Sequence, residues 1–177
     1  MKIGLLIVAI MAMLTYQIDG RFPSIRGETV DSKMVTVPDN LNGKRAVVGI
    51  AFSLKADESL KKWAQPLFNQ LLGGNFGGMM TGNMYNANLC FVGMFKGVSK
   101  LGINDIKQKS KKNIDSKLHP YFVISEDDAN SIINQLKIKE KGEPHFFVID
   151  EKGIILKHVH GDYSESKMDE ITGALLN

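Results

Sequence analysis

The spacing of apolar residues predicts a strand followed by a helix in the first half of the chain. Arg45–Ser53 is an apolar run of strand length with β-branched residues, which is typical of a buried central strand. Two acidic residues, Asp57 and Glu58, follow where a helix would begin, and they favour the positive end of its dipole. The helix is predicted from apolar residues at helical spacing: Leu60, Trp63, Leu67 and Leu71.

Further strands and helices alternate after this helix. Leu89–Phe95 has the composition of a second core strand, and the lysine-rich stretch Lys96–Leu118 indicates a helix with a solvated face. A site for an acidic partner or for anionic lipid headgroups is the alternative interpretation of those lysines. His119–Ser125 is predicted to be a strand, and Glu126–Ile138 a helix.

The last part of the chain, Gly142–Gly161, has the pattern of an antiparallel hairpin. Its apolar runs, His145–Ile149 and Ile154–His160, flank the short turn Asp150–Gly153, which ends in glycine. Lys167–Leu176 then has the apolar spacing of a C-terminal helix. The order of elements predicts an α/β domain with a central sheet between helical layers.

Two further segments add to this predicted α/β domain. Phe22–Pro38 contains short alternating runs and predicts a small hairpin before the central strand. The segment from 72 to 88 has five glycines, which is too many for a regular element, so we expect an insertion after the first helix. The alternative is a partner-binding lid in which Met79, Met80 and Met84 are adaptable contacts.

The N-terminus has the pattern of a secretory signal. Lys2 precedes an apolar run from Ile3 to Leu14, shorter than the roughly 18–20 residues that span a bilayer. We therefore expect residues 1–18 to be a signal peptide or an N-terminal membrane anchor, and residues 19–177 to form the domain. A buried first strand or helix is the alternative interpretation of this run.

The Gly142–Gly161 block, GEPHFFVIDEKGIILKHVHG, resembles the second half of a thioredoxin-like domain. It is most similar to the exported, TlpA/ResA-like (redoxin-type) thiol-disulfide oxidoreductases. The resemblance implies a three-layer fold with a mixed central sheet, an N-terminal hairpin extension and a central insertion. It also implies that Pro144 is the cis-proline, and that the backbone of Glu143 faces a bound partner, with Ser59 across the groove.

The first helix carries a second, shorter resemblance. A proline inside it, Pro66, is a thioredoxin-like feature and is expected to kink it. The phrase FSLKADESLKKWAQPLF is also similar to the mitochondrial ATP-synthase assembly factors, which share the fold without needing a CxxC motif.

The sequence departs from the redox members of the family at their functional motif. Counting from the preceding strand places the CxxC-equivalent positions at Ala56, Asp57, Glu58 and Ser59, whereas counting back from Pro66 places them at 58–61. Neither register contains a cysteine. Because disulfide exchange requires a thiolate, a serine hydroxyl cannot replace it. We therefore predict no catalytic residues in this region.

Composition excludes several other kinds of site. The chain has one cysteine, Cys90, so it can form neither an intramolecular disulfide nor a cysteine-rich zinc site. A net charge of +3 over 177 residues gives no argument for nucleic-acid binding. No cofactor is predicted, since the glycines do not form a phosphate-binding loop.

Cys90 and three histidines are the remaining candidates for chemistry. Cys90 lies in a predicted core strand, which favours a buried and inert thiol, although an exposed Cys90 could be reactive. His158 and His160 are two apart on a strand and therefore share a face, and His145 lies on the neighbouring strand. They are weak candidates for metal ligands, because no carboxylate or cysteine accompanies them in the pattern.

The sequence thus predicts a non-redox, thioredoxin-like binding or assembly protein of the cell envelope, periplasmic or membrane-tethered. Its expected partner is another protein or an extended peptide, and membrane contact is expected only through the N-terminal segment. One alternative is an oxidoreductase or peroxidase that uses Cys90. Another is a metal carrier based on the histidines.

Overall fold

The computed structural model describes residues 20–41, 43–73, 85–95 and 100–176. The predicted N-terminal segment, residues 1–18, and most of the predicted insertion, including Met79, Met80 and Met84, lie outside these residues. Within them no helix is long and apolar enough to cross a membrane. The strands are β1 (Ile25–Thr29), β2 (Met34–Val37), β3 (Ala46–Ala51), β4 (Asn88–Met94), β5 (Phe122–Ser125), β6 (His145–Ile149) and β7 (Ile155–His160). The α-helices are α1 (Leu54–Leu71), α2 (Lys100–Asn113), α3 (Ala129–Gln135) and α4 (Glu165–Leu176).

The strands form one mixed sheet in the order β2-β1-β5-β4-β3-β6-β7. β3, β4 and β5 are parallel, whereas β6 runs antiparallel to β3 and β1 runs antiparallel to β5. The predicted hairpins are confirmed as β1–β2 and β6–β7. All six residues of β3 are buried, which confirms the predicted central strand.

Two apolar clusters cover the two faces of the sheet. Successive residues of β6 point to opposite faces, so Phe146 joins the cluster beneath α1 and α4, and Phe147 joins the cluster beneath α3. The α1–α4 cluster contains Leu60, Trp63 and Ile171. The predicted α/β arrangement, a mixed central sheet flanked by helices, is confirmed.

Two predicted elements are shorter than the sequence pattern suggested. The prediction of a strand from His119 is wrong at its start, because residues 116–121 form a 3-10 helix and β5 begins at Phe122. Pro120 lies in that helix, where its missing N–H leaves no gap in the sheet ladder. The helix predicted over residues 126–138 begins only at Ala129, because the side chain of Asp128 accepts a hydrogen bond from Asn130 N and caps it.

Candidate functional site

The start of α1 lies beside the segment that leads into β6. Ser53 caps the helix by accepting a hydrogen bond from Ala56 N at 3.1 Å. The same hydroxyl donates to the carbonyl oxygen of Lys141 at 3.2 Å. This bond joins residues 88 positions apart, so the cap fixes the segment before β6 against the helix start.

Both registers of the CxxC-equivalent positions, 56–59 and 58–61, lie in the first two turns of α1. Ala56 is buried, and Asp57 forms an ion pair with Lys61 at 2.5 Å. Glu58 is exposed, whereas Ser59 is buried and donates to Asp162 Oδ1 at 2.5 Å. That hydrogen bond holds the pKa of the Asp162 carboxyl below its usual value. Asp57 and Ser59 therefore make structural contacts, and neither register supplies a thiol.

The prediction that Pro144 follows a cis peptide bond is wrong. Among the described residues the cis bond is Val37–Pro38, so Glu143–Pro144 is trans. The X-Pro amide permits either isomer at small cost, and the sequence pattern alone did not distinguish them. Pro144 is buried, and its carbonyl oxygen accepts a hydrogen bond from Gly161 N at 2.9 Å.

The structure brings the predicted groove residues Ser59, Glu143 and Pro144 together around the turn that follows β7. Ser59 contacts this turn at Asp162, and Pro144 contacts it at Gly161. The Glu143 carboxylate accepts a hydrogen bond from His160 Nδ1 at the end of β7. We call Ser59, Glu143, Pro144, Gly161 and Asp162 the candidate site.

Sequence reasoning missed two residues that organise the candidate site. Trp63 Nε1 donates to the carbonyl oxygen of Gly161 at 3.1 Å, and its ring packs against Tyr163 at 5.1 Å between centroids. Gly161 has a φ of +96°, which favours glycine. The glycine after a strand was a visible turn signal, but nothing in the sequence indicated the contact with Trp63.

The surroundings of the candidate site present apolar side chains to solvent. Leu54, the first residue of α1, is 61% exposed, although the helix begins beside the Ser53–Lys141 bond. Tyr163 is 39% exposed above Trp63. Solvent therefore reaches both of these side chains.

Cys90 lies far from this arrangement. It belongs to the apolar cluster beneath α3, on the face of the sheet opposite α1, and is 4% exposed. Burial raises the pKa of its thiol to about 12. Cys90 also lines a cavity of about 160 Å³ with Val37 and Tyr121, but the thiol remains protonated at neutral pH. It lies in the predicted core strand and lacks the features of a reactive thiol.

We expect Cys90 to resist alkylation in the folded protein. A pKa of about 12, against an ordinary value of 9.0, leaves about 1,000-fold less thiolate at pH 8, and burial slows the reaction further. Iodoacetamide labelling followed by intact mass should show one adduct in denaturant and almost none without it. Rapid labelling of the native protein would contradict the buried, inert thiol.

The three candidate metal ligands, His145, His158 and His160, share one face of the sheet. His145 Nδ1 lies 3.0 Å from His158 Nε2, and His145 Nε2 lies 2.6 Å from the carbonyl oxygen of Glu140. His160 Nδ1 is bonded to Glu143. In the described part of the chain, no group of three or more His, Cys, Asp or Glu residues could hold a metal ion. The geometry therefore gives no support to a histidine-based metal carrier.

The architecture described above is that of the thioredoxin-like fold. No protein-family model matches the chain, and no curated protein matches it. Solved structures do match. The thioredoxin domain of a thiol-disulfide oxidoreductase from Bacteroides vulgatus is 13% identical, with a TM-score of 0.58 over 90% of this chain and 97% of that one.

Two other solved structures match over most of their length. BsSco, a member of the Sco family of cytochrome c oxidase assembly proteins, is 12% identical, with a TM-score of 0.54 over 89% of this chain and 92% of that one. An exposed lipoprotein thioredoxin from Streptococcus pneumoniae is 13% identical, with a TM-score of 0.50 over 85% and 98% of the two chains. At these identities the likeness establishes the fold, and the predicted thioredoxin-like fold is confirmed.

Proposed function

We propose that this protein is a non-redox thioredoxin-like binding or assembly protein. In this proposal it holds an extended segment of another protein between the start of α1 and Glu143. The main support for this proposal is that the segment before β6 is fixed against α1, while the first two turns of α1 contain no cysteine. The site keeps its contacts without the group that redox chemistry requires.

The contacts of Pro144 restrict how a partner would pair. Its carbonyl oxygen is already bonded to Gly161 N, so an added strand would use the backbone of Glu143. Leu54 and Tyr163 would supply apolar contacts on either side. Main-chain pairing with apolar anchors is an established mode of peptide recognition.

The position of Cys90 separates this proposal from a one-cysteine enzyme. A thiol on the opposite sheet face, with its pKa raised to about 12, cannot attack a substrate held at the start of α1. A partner-binding role predicts that Cys90→Ser leaves binding unchanged. A redox role predicts that the same substitution abolishes function.

Site-specific photo-crosslinking in producing cells tests the binding role. A photoreactive amino acid at Leu54 should give a discrete adduct that excess unmodified protein suppresses. The matched control is Met34, which is 74% exposed on the edge strand β2, at the far side of the sheet. The same adducts at both positions, or none at Leu54, would contradict the proposed site.

We also propose that the protein acts at the cell envelope. The support is the basic residue Lys2 followed by the apolar run from Ile3 to Leu14. Cell fractionation should find the full chain, or a form shortened near residue 19, outside the cytoplasm. Recovery from the cytoplasm with Met1–Leu14 intact would contradict this location.

A further inference from the structure

Three imidazole rings form a compact array at the β6–β7 end of the sheet. His145 lies directly opposite His160 in the strand register, and His158 is two residues before His160 on the same face. The ring centroids lie 5.3 Å apart for His145 and His158, 5.6 Å for His145 and His160, and 5.5 Å for His158 and His160. We call these residues the histidine array.

The hydrogen bonds of the array require a neutral His145. A carbonyl oxygen can only accept, so His145 Nε2 donates to Glu140 O. In the neutral ring His145 Nδ1 is then an acceptor, and His158 Nε2 must donate to it. A proton added to His145 at Nδ1 would face the N–H of His158 and break this bond.

The surroundings also oppose charge on two of the rings. His145 is almost fully buried and packs against Phe52, while His158 stacks on Phe147 at 4.5 Å. Burial is the largest cause that lowers the pKa of His145, and it combines with repulsion from His145 and His160 to lower that of His158 to about 4. The acidic groups that face His145, Glu140 and Glu143, only partly offset this effect.

We infer that the histidine array is an acid-sensitive latch, which holds the end of β7 and the segment Glu140–Pro144 in place at neutral pH and releases them in mild acid. The segment is joined to the array by the bond from His145 Nε2 to Glu140 O, so a buried, charged His145 that has lost its bond to His158 displaces the segment with it. The bond of His160 to Glu143 does not require a neutral ring and takes no part in the release. This inference goes beyond the proposed binding role and does not depend on it.

The sign of the effect follows from proton linkage. In the unfolded chain a histidine takes up a proton near pH 6.5, whereas in the fold His158 remains neutral until about pH 4. Its contribution to stability is therefore complete above pH 6.5 and is lost as the pH falls towards 4. The unfolding constant should rise about 10- to 30-fold between pH 7.5 and 5.0, an interval in which most carboxyl groups stay ionised.

The single tryptophan reports on the latch directly. Trp63 Nε1 is bonded to Gly161 O, immediately after His160, so opening of the end of β7 should alter Trp63 emission. Urea unfolding and Trp63 emission would be measured at pH 7.5 and 5.0 for the wild type, His158→Phe and His158→Gln. The control is His119→Gln, since His119 lies outside the array and its Nε2 contacts Ile114 O.

The wild type and His119→Gln should lose stability in acid, while both His158 variants should show a smaller change. An unchanged wild type, or His158 variants with the full dependence, would overturn the latch. NMR titration of the ring protons needs no variant. We expect two of the four histidines to stay neutral until the Trp63 emission changes. If instead His145 and His158 both titrated near pH 6.5 in the folded protein, the latch would be overturned.

Discussion

Trp63→Ala is expected to lower the free energy of unfolding by about 3–5 kcal/mol, which is the usual cost of removing a buried aromatic ring. The ring is fully buried and packs against Phe146 at 4.4 Å between centroids and against Tyr163 at 5.1 Å. The substitution also leaves the carbonyl oxygen of Gly161 without its donor. Circular dichroism in a urea series would measure the loss, since the fluorescent residue is removed.

Trp63→Phe separates the two contributions. It keeps most of the packing and removes the hydrogen bond to Gly161, so we expect a loss of about 1–3 kcal/mol. If Trp63→Ala cost less than about 1 kcal/mol, the ring would not hold α1 to the turn after β7, and this account of the candidate site would be wrong.

Gly27→Ala is expected to destabilise the protein by about 1–3 kcal/mol through overpacking. An added Cβ at Gly27 would lie 2.5 Å from Val123 Cγ1 and 2.7 Å from the backbone oxygen of Ile124. The second contact is with backbone, so relief requires β1 to move away from β5. Urea unfolding followed by Trp63 fluorescence would measure the change.

Gly142→Ala is the matched control. It makes the same chemical change at a position where an added Cβ meets nothing within 4 Å. We expect its stability to stay within about 0.5 kcal/mol of the wild type. Equal effects at Gly27 and Gly142 would show that glycine flexibility, and not the close β1–β5 approach, sets the cost.

Much of the fold could be predicted because local pattern and tertiary structure agree. The apolar run at β3 is buried over its whole length, and the helical spacing of Leu60, Trp63 and Leu67 is the face that α1 buries. The errors in element boundaries lie where a single side chain determines the start of a strand or helix. Pro120 leads into β5 through a 3-10 helix, and the Asp128 cap delays the start of α3.

The candidate site could be predicted only in part. Ser59, Glu143 and Pro144 were identified through the resemblance, and the structure places all three around one turn. The hydrogen bonds from Ser59 and Trp63 to that turn span 103 and 98 residues. Contacts of this separation depend on how β6 and β7 align with α1, and a local sequence pattern does not carry that information.

The contacts of the candidate site do not depend on a thiol. The helix cap, the adjoining segment before β6 and the turn at Gly161 are all held by hydrogen bonds that involve no sulfur. The trans bond before Pro144 differs from the cis form that the resemblance implied.

The most direct test of the central claim is an insulin-reduction assay with dithiothreitol, run on the wild type and on Cys90→Ser. We expect both proteins to give the rate of dithiothreitol alone, because the start of α1 has no thiol and Cys90 is buried on the opposite face of the sheet. Turnover above that background in the wild type, lost in Cys90→Ser, would contradict the account and identify an enzyme that uses one cysteine.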